Sequence, residues 1–536
     1  MAISNPSVLL LPLLGAILVA RFKPEWATVS TILSTTPSLL YGFFRVFIYP
    51  FWLSPLRNLP EPTGSRFPWC HASEIRRSNN GAPYRRWINS VPNDGLIRFR
   101  VLLNQERLLL TSPQALREVL VTKTYDFIKP SEPTYLFRTL LGHGLLSAEG
   151  EEHQIQRKSM MPAFTFRHIK DLYPIFWSKA RESVEAIAAS QQFHSGSQTP
   201  KAQSVRLWAG RTALDIIGLA GTGHDFNALE DPNGEAVLAY HDLTSEEGPL
   251  FYWTSIGLDL PVRYILKLPT RQFNTLRRAA GKINSLSFGL IEEKKKRLSN
   301  AKDQALDIAS VALASGSFSE QGLVDQMMTF LAAGHETSAS TMTWAIYLLC
   351  KYPDVQERLR SEIREQLPPI SDPNSTVTAL QIDKLPYLSA VCNEIMRFMP
   401  AVPMTARDAA CDTSICGRNV PKGTRVIISA WAINVSKDLW GEDALDFNPD
   451  RWLRAGQANT GGAMSNFANL TFIHGPRSCI GKDFARSEIL CLLAAWIGHF
   501  EVIFENGVEL PTDIEGWVTA KPRHGMPVVF KELEGW

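Results

Sequence analysis

The segment Phe472-Ile473-His474-Gly475-Pro476-Arg477-Ser478-Cys479-Ile480-Gly481 puts a cysteine in a glycine-punctuated loop, just before an apolar, helix-like run from Ala485 to Phe500. A loop bracketed by glycines can close around a bound group and aim backbone N–H groups at a sulfur. That suits a thiolate which must ligate a metal without being oxidised or protonated, and the chemistry would then belong largely to a cofactor. The remaining cysteines, Cys70, Cys350, Cys392, Cys411, Cys416 and Cys491, are sparse and irregularly spaced. No pair among them forms a zinc knuckle, so a disulfide scaffold is disfavoured and a reducing compartment favoured.

The rest of the chain reads as mainly helical. A long apolar helix is predicted from Leu323 to Leu349, interrupted by Ala333-Gly334-His335-Glu336-Thr337. A glycine inside a helix costs about 1 kcal/mol relative to alanine, but permits close approach of a flat cofactor or small ligand. Helical patterning also dominates Glu152 to Ala189. A further helix, Leu388 to Met399, should stop before Pro400, and it places Glu394 and Arg397 on one face. Strand-like alternation marks Asp94 to Thr111 and Thr424 to Ala430. The six charges from Glu292 to Arg297 read as a solvated helix end. With a formal charge of +2 over 536 residues, nucleic acid is excluded as the main partner. No internal repeat is evident. The expected fold class is mainly α with small β-sheets.

The amino end breaks this composition. Val8 to Ala20 is nearly all apolar and is followed by Arg21 and Lys23; a second apolar run, Leu39 to Leu53, is interrupted by Arg45. Each is a little short for a bilayer, which needs about 20 residues. We expect residues 1–53 to be a membrane anchor and interfacial segment, with the second run either spanning or lying at the interface. Pro50, Pro55, Pro60 and Pro62 should prevent a continuous helix into the next domain, marking a hinge over residues 54–66, and residues 67–536 form the catalytic domain.

Phe472, Gly475, Arg477, Cys479 and Gly481 resemble the haem-binding signature of the cytochrome P450 family at every defining position. Three further motifs follow that family's pattern and order: Ala333-Gly334-His335-Glu336-Thr337, Glu394-Ile395-Met396-Arg397 and Phe447-Asn448-Pro449-Asp450-Arg451-Trp452. The chain is similar to microsomal, fungal members of specialised metabolism, and the resemblance covers essentially its whole length.

The resemblance implies a P450 fold with Cys479 as the proximal thiolate on the iron of haem b, where thiolate donation favours O–O cleavage. Phe472 would pack on the haem near the sulfur. Arg477, Arg157 and Arg407 would pair with its propionates. His153 stands where the family commonly has a tryptophan, four residues before Arg157. Glu394, Arg397 and Arg451 would form a buried charge network beneath the haem. Thr337 and Glu336 would handle oxygen and protons, while Phe330, Ala333, Val402, Met404, Thr405, Val518 and Thr519 are pocket candidates.

The implied reaction is insertion of one oxygen atom from O₂ into a lipophilic small molecule, by C–H hydroxylation or epoxidation, in secondary metabolite biosynthesis. Electrons would come from NADPH through a separate P450 reductase, with cytochrome b5 as an accessory donor. The implied location is the endoplasmic reticulum membrane, with the catalytic domain facing the cytosol. Two alternatives stay open on sequence: an oxygen-independent isomerase or dehydratase, and a non-enzymatic haem-binding membrane protein.

Overall fold

The structure is a computed structural model that describes residues 36–78, 81–192, 202–244, 262–299, 307–509, 514–516 and 518–536. Among these residues the main sheet has five strands: β1 (Leu96–Val101), β2 (Gln105–Leu110), β3 (Phe127–Ile128), β4 (Thr405–Ala409) and β5 (Arg425–Ile428), in the order β1-β2-β5-β4-β3. The strand-like run Asp94 to Thr111 folds back on itself as a hairpin, pairing Leu96 with Leu110. The chain reverses at Leu102–Asn104, where Leu103 and Asn104 both have positive φ. Alternating apolar residues fit either a long strand or a hairpin, and burial of both arms selected the hairpin. β2 and β5 run parallel, and the other neighbours are antiparallel.

Helices make up most of the body. Those that position the site are α1 (Ser131–Leu141), α2 (Gly150–Met160), α3 (Val205–Thr222), α4 (Glu320–Lys351), α5 (Pro386–Phe398) and α6 (Lys482–His499). α4 starts where the Ser319 hydroxyl accepts the Gly322 N–H at 3.1 Å, a cap worth about 1 kcal/mol. α5 ends before Pro400, as the restriction on the preceding residue requires. The large core joins α3, α4, α5 and α6 around Trp177, Trp344 and Trp496; a second core lies against the five-stranded sheet. The charged run 292–297 closes the helix Arg271–Ser299, but it is not wholly solvated. Lys294 is buried against Asp307, with 2.5 Å between nitrogen and oxygen.

The expected membrane anchor is corrected here. No helix among the described residues is long and apolar enough to cross a membrane. The second apolar run forms helical residues 36–43 followed by the π-helix Phe44–Leu53, interrupted by Pro50. Arg45 lies over the Tyr49 ring, so the run is neither long nor continuously apolar. The first run, residues 8–20, lies outside the described residues. The described residues therefore supply no transmembrane helix, contrary to the expected anchor and to the endoplasmic-reticulum location argued from it. Residues 54–66 lie along the sheet. Leu56 and Leu59 are buried, the Arg98 N–H donates to the Pro60 carbonyl at 2.9 Å, and Glu61 accepts from Arg98 and Arg100.

Candidate functional site

The cysteine loop is shaped by one glycine more than the other. Gly475 has φ +79, and a Cβ there would strike the Leu120 carbonyl, so both backbone conformation and packing demand glycine. Gly481 has φ −88 and would place a Cβ 3.8 Å from Phe164, an ordinary contact. Its role is its N–H, which donates to the Cys479 sulfur. The loop closes through the Cys479 N–H on the Phe472 carbonyl at 2.9 Å, and Phe472 is half-buried against the large core.

Cys479 is exposed, yet the protein packed around it pushes its thiol pKa up, against the opposing pull of the Gly481 N–H and Arg157. A bound metal would overcome that upward shift, because coordination deprotonates a thiol outright.

Cations gather beside the loop. Arg157 grips the Ser478 carbonyl at 2.6 Å and its hydroxyl at 3.2 Å. Arg477 is buried, donates to Glu149 and lies over the Tyr125 ring, while its Nε has no partner among the described residues. Arg407, on β4, bonds its own strand at Thr405 and Ala406; burial and then Arg477 push its pKa down to about 10. The His153 ring is buried with Nδ1 unbonded. Burial, then Arg477, Lys129, Arg157 and Arg407, push its pKa down to about 3, so it is neutral.

These cations repel one another while donors stay unused. Such an arrangement fits a ligand that brings negative charge. The thiol, the half-buried Phe472 and this cluster together match the needs of haem b, with its iron and two carboxylate arms. Sequence reasoning missed Lys129, Arg138 and Glu149, which complete the cluster; an isolated Lys-Pro and a Glu before a helix carry no local signal.

The charge network sits apart from these groups. Glu394 accepts from Arg397 at 2.8 and 2.7 Å, from Arg451 at 3.1 Å, from the Trp452 indole at 2.9 Å and from the Asn448 backbone at 2.8 Å. Arg397 also caps the carbonyls of Asn434, Ala444 and Asp446. Glu394, Arg397 and Arg451 are essentially fully buried. Asn448 and Trp452 join through tertiary contacts that residue spacing does not reveal.

On α4, burial is continuous from Leu323 to Leu331 and from Ser338 to Leu349, but Ala333 is exposed and Gly334, Glu336 and Thr337 are half-buried. The Thr337 hydroxyl donates to the Ala333 carbonyl at 2.7 Å. Gly334 has a packing role: a Cβ there would lie 2.8 Å from Ile217 of α3. Burial alone would raise the pKa of Glu336, but Lys521, His335 and hydrogen bonds from Lys521 and Thr519 outweigh it and hold the carboxylate ionised.

Glu488 on α6 behaves oppositely. It is buried, accepts the Ser338 hydroxyl at 2.5 Å, and burial pushes its pKa up to about 8.

The pocket candidates fall into two groups. The turn bearing Val402, Met404 and Thr405 meets the segment bearing Val518 and Thr519, because the Ala520 N–H donates to the Ala401 carbonyl at 2.7 Å. The Ala520 carbonyl accepts from Ser340 and Trp344 of α4, each at 2.7 Å. Phe330 lies instead in the large core, its ring 5.3 Å from Phe164. Thr405 and Thr519 spend their side chains on Arg407 and Glu336.

Residues 98–528 match the family model described as Cytochrome P450. The chain is 43% identical to the cytochrome P450 monooxygenase sphH of Aspergillus fumigatus, with 98% of each chain covered. It is 39% identical to the cytochrome P450 monooxygenase FUM15 of Gibberella moniliformis, over 90% of this chain and 89% of that one. It is 36% identical to the cytochrome P450 monooxygenase ALT8 of Alternaria alternata, over 94% and 95%. The cysteine loop, the cation cluster and these matches agree: the chain belongs to the cytochrome P450 family and is an enzyme of its haem-thiolate monooxygenase class.

Proposed function

We propose that this enzyme binds haem b through Cys479 and inserts one oxygen atom from O₂ into a lipophilic small molecule in fungal secondary metabolism. Its electrons come from NADPH through a separate reductase. The observation that carries this reading is the surplus of cations, with Arg407 and Arg477 buried and Arg157 half-buried, beside a cysteine whose sulfur already accepts a backbone N–H. The likeness to fungal monooxygenases supports the metabolic setting.

The chain's own groups divide the work. Cys479 supplies the iron ligand, and the Gly481 N–H drains charge from the sulfur so that it resists oxidation. Arg477, Arg407 and neutral His153 receive the propionates, while Arg157 keeps the loop in place through Ser478. When bound, the haem supplies the reductive activation of O₂. The Thr337 hydroxyl, back-bonded to Ala333, is placed to turn toward a polar ligand above the exposed notch of α4. Glu336 fixes the segment Thr519 to Lys521 against that helix. The apolar Val402 and Met404 suit a lipophilic substrate.

The test is the reduced carbon monoxide difference spectrum of the purified protein and of Cys479→Ala. The thiolate-haem band should appear in the first and vanish in the second. A band that survives in Cys479→Ala rejects the ligand assignment. Metabolites of cells with and without the gene, followed by reconstitution with reductase and isotopically labelled O₂, then test the oxygen insertion. Product lacking the label refutes it.

A further inference from the structure

Lys129 follows β3 directly and is half-buried inside the cation cluster. Its Nζ donates to the Leu146 carbonyl at 2.6 Å and the Ala148 carbonyl at 3.2 Å. An ammonium has three donors, so these two carbonyls leave one. The nearest carboxylate is Glu149, 4.0 Å from Nζ. That carboxylate is already shared, accepting the Lys129 backbone N–H at 3.1 Å and pairing with Arg477.

The other charged and titratable groups around Lys129 come from four elements. Arg138 reaches in from α1, where it donates to the Ser147 carbonyl at 3.1 Å. His153 and Arg157 come from α2, Arg407 from β4, and Arg477 from the turn Gly475–Arg477. Set against Lys129 and the four arginines, Glu149 is the carboxylate this cluster provides.

We propose that Lys129 holds haem through a proton it takes up on loading, so that this protein's grip on its cofactor weakens as pH rises. The inference rests on the reading of Arg477, Arg407 and His153 as the propionate cradle. Without added negative charge, burial outweighs Glu149, and Arg407, Arg477 and Arg138 add to the burial, so that Lys129 titrates at about 7. Two carboxylates entering the cradle reverse that balance and favour the ammonium. A neutral amine gains one proton from solvent and becomes the partner of a carboxylate; no electrons move.

The sign follows from linkage. The lysine's pKa is higher in the loaded state than in the unloaded one. Its contribution to haem affinity is therefore fully present below about pH 7 and is lost as pH rises toward the loaded value, by up to about tenfold per pH unit.

The test is haem transfer from purified holoenzyme to excess apomyoglobin across about pH 6.5 to 9, followed in the Soret band, for the wild type, Lys129→Arg and Lys129→Met. Proton release from Cys479 is common to all three and cancels in their ratios. Arginine stays charged throughout, so Lys129→Arg should keep its haem and lose the slope that lysine adds, while Lys129→Met should hold haem weakly at every pH. If Lys129→Met does not fold, Lys129→Arg decides alone. A haem-loaded wild type whose slope matches that of Lys129→Arg overturns the proposal while leaving the cradle intact. A wild type that carries no thiolate-bound haem overturns the cradle reading itself.

Discussion

Two charge clusters, one fully buried around Glu394 and one partly buried around Arg477, have opposite characters. Around Glu394 both carboxylate oxygens and both arginines are spent on short hydrogen bonds to side chains and carbonyls. Around Arg477 four arginines and a lysine face one carboxylate, and donors such as the Arg477 Nε are left over. The first cluster is electrically closed and rigid, as a satisfied low-dielectric network must be. The second is open, since a surplus of buried and half-buried cations is costly until an anion enters. A balanced cluster holds a fold together. An unbalanced one marks where something binds.

This contrast can be tested with variants, taken from the largest expected effect. Glu394→Ala leaves the buried Arg397 without its carboxylate and Arg451 with Asp443 alone, and should cost about 3–5 kcal/mol of stability. In urea, haem absorbance and far-ultraviolet circular dichroism should disappear together. Arg407→Met removes a cation from the crowded cluster, so haem should leave about tenfold faster on transfer to apomyoglobin. Here the haem band should bleach before the helical signal falls. If Arg407→Met behaves like Glu394→Ala, the two clusters are not different in kind.

Glu488 offers a third case, a buried acid with a hydroxyl partner in Ser338 and no paired cation among the described residues. Its pKa is raised from the usual carboxylate range to about 8. A raised value means the folded state holds the proton, so the associated stability is present at low pH and lost as pH rises toward 8. The slope should reach about 1.4 kcal/mol per pH unit between roughly pH 5 and 8. Glu488→Gln should flatten it, as read from urea midpoints. An unchanged slope would place the titration elsewhere.

Thr337→Ala should leave stability and the haem spectrum nearly as they were, and lower product formed per NADPH consumed several-fold, as expected for loss of one positioned proton-handling group. Unchanged coupling would remove Thr337 from the oxygen side.

How far each part was legible follows from the range of its interactions. Helices α4, α5 and α6 were readable because their apolar patterning and their flanking Pro400 and Gly481 act locally. The hairpin at Leu102–Asn104 was not, since the same alternation serves one long strand until two arms pair. The second apolar run looked long enough to approach a bilayer, but its structure broke into residues 36–43 and a π-helix containing Pro50. Gly334 drew attention as a gap for a ligand, yet its missing Cβ lets α4 approach Ile217 of α3.

The order of motifs around Cys479, and hence the family and its iron chemistry, was determined by the sequence alone, because a thiolate loop needs its glycine, arginine and cysteine at fixed local spacing. Tertiary structure decided which charges meet. Lys129, Arg138, Glu149, His153, Arg407 and Arg477 come from distant stretches, and Coulomb interactions act through space, with no regard for distance along the chain. The same holds for Glu336, which the family resemblance offered as a proton carrier and folding tied to Thr519 and Lys521.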